Sequence, residues 1–169
     1  IEKGIPLCSG LGGSAASAVA GVVAANELLG RPLDRAELVA YALAGEALAS
    51  GARHEDNVVP SLLGGLRLCR WQSERETVRL PVPDGLLCVL VHPDQQVATR
   101  EARAALPETI PLETCVAQGG QLASFLAGCY ENDARRAGRA CRDLLVEPYR
   151  APLVPARFQR RLVRPWTFS

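Results

Sequence analysis

The chain lacks several features that would assign it at once to a large class of proteins. It has no methionine, two histidines and 5% aromatic residues, and none of its six cysteines forms a Cys-x-x-Cys pair. That cysteine pattern argues against a zinc ribbon or a thioredoxin-like motif, and reduced cytosolic thiols are expected. No apolar run is long enough to span a membrane. A net charge of +1 gives no electrostatic reason to expect a nucleic-acid or membrane partner.

The remaining composition is typical of a folded globular chain. Hydrophobic residues make up 48% of the 169 residues and charged residues 22%, which is enough apolar material for a buried core. The segment 1–6 has the pattern of the end of a strand. Together with the absence of methionine, this leads us to expect further sequence before it.

The most informative segment is a glycine- and serine-rich turn, 6–17, that leads into an alanine-rich stretch. Glycines tolerate positive φ and let backbone N–H groups converge, and a helix N-terminus adds partial positive charge. The segment therefore predicts an anion cradle, a loop whose backbone N–H groups bind an anion, above all a phosphate. It is not a Walker A loop, because no Gly-Lys-Ser/Thr follows. A turn that only caps a helix through Ser14 is the structural alternative.

Apolar spacing and helix-stop residues predict several helices. The first begins with Ser14 as its N-cap. Asp34 and Glu37 have the spacing of a capping box for the second. Three positions of that second helix are expected to be buried: Leu38, Tyr41 and Ala42. The predicted helices cover 14–29, 34–48, 99–106, 113–129 and 133–145.

Shorter apolar runs predict strands at 66–71 and 78–80, where apolar and polar residues alternate. The continuous apolar run 86–91 is typical of a buried strand. The polar cluster 53–57 is expected to be a loop. This order of helices, strands and helices favours an α+β layer fold over a regularly alternating parallel sheet.

The glycine turn resembles the phosphate motif of the GHMP kinase superfamily, Pro-x-x-x-Gly-Leu-Gly-Ser-Ser-Ala. Gly13 stands where the superfamily usually has its first serine, and Ser14 keeps the second. The resemblance implies that this turn binds the phosphates of ATP through Pro6, Ser9, Gly10, Leu11, Gly12, Gly13, Ser14, Ala15 and Ala16.

Three further segments resemble the homoserine kinase family within that superfamily. Glu46, the segment 54–60 and the glycine pair that follows resemble the family's Glu…His-x-Asp-Asn-Val-x-Pro…Leu-Gly-Gly signature. The segment 97–103 resembles its Thr-x-x-Ala-Arg helix start, and 147–152 resembles its Glu-Pro-x-Arg segment. Four ordered matches over about 150 residues make a specific signal.

The resemblance implies a partial GHMP kinase fold with two domains. Residues 1–83 would be part of a ribosomal-protein-S5-domain-2-like N-terminal domain that binds ATP. Residues 84–155 would begin a ferredoxin-like C-terminal domain, and the tail at 156–169 departs from the family. We therefore expect a fragment that lacks the family's N-terminal strands and its C-terminal glycine-rich motif.

The implied activity is the ATP-dependent phosphorylation of the side-chain hydroxyl of L-homoserine, a cytoplasmic step towards threonine. Glu46 and Ser14 would be the catalytic residues and the ligands of Mg²⁺, which prefers oxygen donors. Arginines suit the carboxylate of an amino acid. The carboxylate of Asp56 could take the hydroxyl proton, but the base is left unassigned. The implied substrate contacts are His54, Asp56, Asn57, Thr99, Arg103 and Arg150.

These residues also have purely structural interpretations. Glu46 would be a solvated helix residue, Asp56 and Asn57 would form a turn, and Thr99 would cap a helix. The alternative functions are another GHMP small-molecule kinase, a catalytically incompetent fragment, or an arginine-rich binding module over 135–164. In a fragment, apolar surface exposed by absent strands predicts a homodimer or low solubility.

Overall fold

A computed structural model of the chain describes residues 2–6, 9–70, 76–89, 102 and 104–153. Two compact units follow one another along the sequence, the first ending at Leu80 and the second beginning at Pro81. The predicted domain bounds at residues 83 and 155 stay predictions. The predicted tail at 156–169 lies outside the described residues.

The first unit contains three helices followed by a two-stranded antiparallel sheet. In the sheet, Leu66 lies opposite Leu80 and Cys69 lies opposite Thr77. This combination of helices and a small antiparallel sheet confirms the predicted α+β class. The elements are α1 (Gly13–Leu28), α2 (Leu38–Ser50), α3 (Glu55–Leu63), β1 (Leu66–Cys69) and β2 (Thr77–Leu80).

The core of this unit lies between the three helices. Gly45 of α2 brings the backbones close, since a Cβ there would lie 3.3 Å from Ala18 Cβ. Full burial of a leucine or valine side chain stabilises the fold by roughly 1.5–3 kcal/mol. The buried core residues are Ala15, Val19, Leu38, Val39, Ala42, Leu43, Val58, Val59 and Leu62.

One predicted core position is wrong. Leu38 and Ala42 are buried as expected, but Tyr41 is 58% exposed. Residues 38, 39, 42, 43 and 46 form the buried stripe of α2. At 100° per residue, Tyr41 falls well outside that stripe and points its ring to solvent.

The capping box before α2 forms as predicted. The Asp34 N–H donates to Glu37 Oε2 at 2.8 Å, and the Glu37 N–H donates to Asp34 Oδ1 at 2.9 Å. The regular helix then begins at Leu38, four residues later than predicted, and ends at Ser50. Gly51 terminates it with φ 75°, a left-handed conformation that glycine adopts without strain.

Two helix starts differ from the predictions. α1 begins at Gly13 after Gly12, and no side chain caps it, so the predicted N-cap role of Ser14 is wrong. α3 occupies part of the predicted 53–57 loop, because Glu55 and Asp56 lie in its first turn. Carboxylates there are stabilised by the helix dipole, which the loop prediction overlooked. Residues 2–6 are not in a strand, since the described part of the chain offers them no strand to pair with.

The regular elements described in the second unit are helices. Its longest helix confirms the predicted helix over 113–129. Gly128 permits a close helix crossing, because a Cβ there would lie 2.6 Å from the Ala137 backbone nitrogen. The elements are α4 (Leu112–Tyr130), α5 (Ala134–Ala140), α6 (Glu147–Arg150) and a 3₁₀ turn (Ala151–Leu153).

Two predictions fail in this unit. The helix predicted over 133–145 ends at Ala140, because the Asp143 side chain accepts the N–H groups of Leu145 and Val146, each at 2.8 Å. Such side-chain bonds compete with the helical ladder. The run 86–91 forms no strand over 86–89, the part that is described, where Leu87 is 70% exposed. An apolar run becomes a strand only when it is paired, and the sheet of the described residues contains β1 and β2 alone.

The predicted helix over 99–106 lies largely outside the described residues. Within the described part of the chain, no helix combines the length and hydropathy needed to cross a bilayer.

Candidate functional site

A buried carboxylate joins the three helices of the first unit. Glu46 on α2 is 1% exposed. Its Oε1 accepts a hydrogen bond from Ser14 Oγ on α1 at 2.9 Å and lies 2.9 Å from Nδ1 of His54, the N-cap of α3. Because an ionised carboxylate only accepts, Nδ1 carries the proton in this contact. The fold thus brings together three predicted site residues that are far apart in sequence.

Ser50 supports the same cluster from the next turn of α2. Its hydroxyl donates to the Glu46 backbone carbonyl at 2.9 Å and lies 3.2 Å from His54 Nδ1. Burial raises the pKa of Glu46, but the hydrogen bonds from His54, Ser14 and Ser50 outweigh it and hold the pKa below its ordinary value. Glu46 is therefore an anion at neutral pH, and its interpretation as a solvated helix residue is wrong.

The second oxygen of Glu46 is the unusual atom of the site. Oε2 is buried and has no hydrogen-bond partner among the described residues. An unpartnered buried carboxylate oxygen costs free energy, which makes this atom a candidate ligand for a cation. With the Ser14 hydroxyl, Glu46 offers hard oxygen donors of the kind that Mg²⁺ takes.

These two donors fit Mg²⁺ as a partial ligand set. Mg²⁺ usually keeps several waters and takes one or two protein ligands plus substrate phosphates. Larger clusters, with three or more histidine, cysteine, aspartate or glutamate side chains arranged for a metal, do not occur among the described residues.

The predicted phosphate loop has the backbone of an anion cradle. Gly10 and Gly12 adopt φ values of 73° and 70°, which favour glycine. The Ala16 N–H makes the first intrahelical bond of α1, to Gly12 O at 2.9 Å. The preceding N–H groups of the first turn have no partner within the helix, so they are available to an anion.

The side chains of the loop contribute less than its backbone. Ser9 Oγ accepts the Leu11 N–H at 3.4 Å, and Ser17 Oγ donates to Gly13 O at 3.0 Å. Ala15 is fully buried in the core, so only its backbone is available to a ligand. Pro6 lies exposed at the start of the loop.

Asn57 lies directly against this loop. A Cβ on Gly12 would lie 3.0 Å from Asn57 Oδ1, which places the side-chain amide of α3 beside the last residue before α1. Asp56 is its exposed neighbour in the first turn of α3. The turn-forming interpretation of both residues is wrong, because they are helical.

Lys3 is a residue that the sequence patterns did not single out. A Cβ on Gly13 would lie 3.3 Å from Lys3 Cε and 3.6 Å from Lys3 Nζ, so the ammonium group lies beside the first residue of α1. Lys3 is the only lysine of the chain. That rarity, a few residues before a glycine loop, is the signal that could have identified it.

The remaining predicted substrate residues lie outside the described residues or in the second unit. Thr99 and Arg103 lie outside the described residues. Arg150 ends α6 in the second unit, where its Nε donates to Ala102 O at 3.0 Å. Their predicted contacts with a substrate stay predictions.

Known proteins match most of the chain. Residues 1–65 match the family model described as GHMP kinases N terminal domain. A homoserine kinase of Chlorobium phaeobacteroides is 44% identical over 155 residues, covering 92% of this chain and 48% of that relative. A homoserine kinase of Xylella fastidiosa is 52% identical over 154 residues, covering 91% of this chain and 47% of that relative.

A solved structure agrees with the sequence relatives. The crystal structure of homoserine kinase from Cytophaga hutchinsonii matches with a TM-score of 0.83 and 43% identity, covering 90% of this chain and 49% of that one. The chain spans about half the length of the curated relatives it matches.

Proposed function

We propose that this chain, which belongs to the GHMP kinase superfamily, comes from an enzyme that phosphorylates the side-chain hydroxyl of L-homoserine with ATP. The observation that carries the proposal is the hydrogen bond from half-buried Ser14, at the start of α1, to buried Glu46 of α2, with Glu46 Oε2 left unpartnered among the described residues. The product would be O-phospho-L-homoserine, and the reaction would be a cytoplasmic step towards threonine.

The glycine loop would hold the phosphates of ATP. Left-handed Gly10 and Gly12 turn the chain so that the N–H groups of the first turn of α1 converge. The partial positive charge of the helix N-terminus adds to their attraction for an anion. A Cβ at Gly12 would crowd Asn57, so the same glycine keeps the loop close to α3.

Ser14 and Glu46 would hold Mg²⁺, which when bound neutralises charge on the phosphate oxygens. His54 keeps the Glu46 carboxylate oriented through its Nδ1 contact at 2.9 Å. Because that contact and the Ser14 bond use the same oxygen, Oε1, the other oxygen stays available to a cation. His54 is therefore better explained as a residue that positions Glu46 than as a direct substrate contact.

Residues that match the family signature would bind the substrate. Asn57, with Asp56, would bind the amino and hydroxyl groups, and Thr99, Arg103 and Arg150 would bind the carboxylate. In the transfer, the substrate hydroxyl oxygen bonds to the γ-phosphorus while the bond from that phosphorus to the β–γ bridging oxygen breaks. ADP leaves with the bridging oxygen, and the hydroxyl proton passes to Asp56 or to solvent.

An ADP-release assay with Mg²⁺ tests the substrate on a full-length version of the protein. We expect turnover with L-homoserine and little with galactose or mevalonate, because the proposed site has polar groups for an amino acid. Turnover with galactose or mevalonate and none with homoserine would assign the protein to another GHMP kinase.

A second test concerns the chain by itself, since it spans about half of its relatives. Calorimetric titration with ATP and Mg²⁺ measures whether these residues suffice for nucleotide binding. ATP binding that depends on Mg²⁺ supports a working nucleotide site in these residues. A folded chain with no heat of binding would identify a catalytically incompetent fragment.

A further inference from the structure

We infer that three arginines around the C-terminus of α3 form a second binding site, for a small anion that carries two or more carboxylate or phosphate groups. The site consists of Arg35, Arg67 and Arg79, called the arginine cluster below. It lies in the first unit but shares no residue with the Ser14–Glu46 pair. The inference therefore goes beyond the proposed function and does not rest on it.

Two members of the arginine cluster contact the end of α3. Arg35 Nη1 donates to Leu62 O at 3.3 Å, and Arg67 Nε donates to Gly64 O at 2.8 Å. Carbonyl groups at a helix C-terminus lack partners within the helix and carry partial negative charge. These bonds explain why two cations lie here, and they hold both guanidinium groups in place.

Arg79 is the member that helix capping does not explain. It lies directly opposite Arg67 in the β1–β2 ladder, and like charges at directly opposite positions destabilise a sheet. A Cβ at Gly65 would lie 3.3 Å from Arg79 Nε, so this guanidinium group lies beside the residue that precedes β1. Within the described part of the chain, Arg79 donates no hydrogen bond that would offset the repulsion.

No carboxylate neutralises the arginine cluster among the described residues, since none of the ion pairs found there involves its members. Asp34 and Glu37 are near Arg35 in sequence, but each accepts the other's backbone N–H in the capping box. Arg70, which directly follows β1, pairs with Glu76 at 2.7 Å. The cluster departs from that usual arrangement and concentrates positive charge on one part of the surface.

The chemistry of the cluster suits an anion with more than one charged group. A guanidinium group presents five N–H donors in a planar fork that fits a carboxylate or a phosphate. Arg67 uses two of these donors and Arg35 uses one in the bonds to α3, so most donors stay available. Opposite Cβ atoms of an antiparallel pair lie about 4.5–5.5 Å apart, and one small ligand can therefore reach both Arg67 and Arg79.

The arginine cluster is also separate from the candidate kinase site. α3 has nine residues, so its two ends lie roughly 13 Å apart at 1.5 Å per residue. His54 and Asn57 lie at the N-terminal end, whereas the arginines contact the C-terminal end. Arg35 and Arg79 are exposed and Arg67 is half-buried, so a ligand in solution can reach them.

The first experiment titrates citrate and inorganic pyrophosphate, without Mg²⁺, into the unaltered chain and into Arg79→Gln. We expect Arg79→Gln to weaken citrate binding by about tenfold, because a charged contact is lost. Arg79→Lys should restore only part of the affinity, because lysine keeps the charge but not the fork. Both variants should unfold at the temperature of the unaltered chain, since Arg79 is exposed. An unchanged citrate affinity in Arg79→Gln would overturn the inference.

The two probes identify the preferred ligand group. A greater Arg79-dependent affinity for citrate would indicate a carboxylate ligand, and a greater one for pyrophosphate would indicate a phosphate ligand. Either result supports a site for a small multivalent anion. A folded, unaltered chain that binds neither probe would overturn it.

The matched control removes the paired arginine of the same strand pair. Arg70→Gln should leave both affinities unchanged, because Arg70 already has a carboxylate partner in Glu76. Equal losses in Arg70→Gln and Arg79→Gln would mean that net charge alone attracts the anion, and would overturn the inference.

The second experiment observes the guanidinium groups directly by nuclear magnetic resonance of the chain labelled with ¹⁵N-arginine. The Nε–H signals of Arg67 and Arg79 are identified by their absence in Arg67→Gln and Arg79→Gln. Citrate should shift both signals along one saturating curve and leave the Arg70 signal in place. Signals of Arg67 and Arg79 that do not move, or that move without saturation, would contradict a binding site.

Two further outcomes separate this site from the proposed kinase site. Arg79→Gln should leave the affinity for MgATP unchanged, because Ser14 and Glu46 belong to a different site. Equal losses of MgATP and citrate affinity would mean that both anions share one site, and would overturn the inference. The citrate titration is repeated on a full-length version, since the chain spans about half of its relatives. Loss of citrate binding there would mean that another part of the protein covers the cluster, and would overturn the inference while leaving the kinase proposal standing.

Discussion

At the scale of single residues, the charge of Glu46 decides what the site can do. Its carboxylate is buried, accepts from Ser14, contacts His54 and retains an unpartnered oxygen among the described residues. Charged groups held in this way tend to be costly for stability and are retained for function.

Glu46→Gln tests that role, because glutamine keeps the shape and removes the charge. We expect the Mg²⁺-dependent turnover of the full-length protein to fall by about 10- to 100-fold or more, with little loss of thermal stability. Glu27→Gln is the matched control, since Glu27 is half exposed and pairs with Arg31 at the far end of α1. Full activity in Glu46→Gln would exclude the carboxylate as a metal ligand.

Gly12 is a second residue whose identity is constrained, in this case by its backbone conformation and by the space around it. It has φ 70°, and an added Cβ would meet Asn57 Oδ1 at 3.0 Å. Gly12→Ala should therefore reduce the free energy of unfolding by about 1–2 kcal/mol and weaken MgATP binding by displacing the loop.

Gly21→Ala is the control for that substitution. Gly21 lies within α1, and a Cβ there meets nothing within 4 Å, so alanine should stabilise the helix by up to about 1 kcal/mol. Urea unfolding measures both changes. Equal effects of the two substitutions would show that the left-handed turn at Gly12 carries no constraint.

At the scale of elements, the crossing of α4 and α5 depends on Gly128. A Cβ there would lie 2.6 Å from the Ala137 backbone nitrogen, a distance that only a backbone shift can relieve. Gly128→Ala should lower the free energy of unfolding by about 1–3 kcal/mol. Gly120→Ala in the same helix meets nothing within 4 Å and should be neutral or stabilising, and urea unfolding of both variants checks the difference.

The start of α5 should make stability depend on pH. A hydrogen bond from the Arg136 N–H, followed by the charges of Arg136 and Arg139, holds the pKa of Asp133 below its ordinary value of 3.8. In the interval between the folded and unfolded pKa values, the unfolded chain binds more protons. The contribution of Asp133 is therefore fully present above pH 3.8 and is lost as pH falls through the folded pKa.

Asp133→Asn separates the charge from the cap, because asparagine also accepts the Arg136 N–H. Urea unfolding across the acid range should show a shallower loss of stability for Asp133→Asn than for the unaltered chain. Asp133→Ala also removes the acceptor of the Arg136 N–H, so this variant should be less stable than Asp133→Asn at every pH. Identical acid slopes in all three proteins would contradict a depressed pKa.

At the scale of the whole molecule, the sequence predicted the elements whose signals are local. The capping box at Asp34 and Glu37 and the periodic pattern of α4 needed no tertiary information. The strand predicted over 86–91 depended on a pairing partner, and local sequence does not specify one. The burial of Glu46 was hidden for the same reason, because its partners Ser14 and His54 come from other helices.

The predicted homodimer is a property of the whole molecule that exposed apolar surface makes testable. Leu112 and Val116 lie one turn apart on the same face of α4 and are 78% and 67% exposed. Contiguous exposed apolar side chains favour association, so we expect light scattering to detect self-association that grows with concentration. Val116→Ser should shift the equilibrium towards the monomer, whereas Ala117→Ser, on an adjacent exposed position, should not. A chain that stays monomeric at every concentration measured would mean that this face of α4 does not associate with the same face of a second copy.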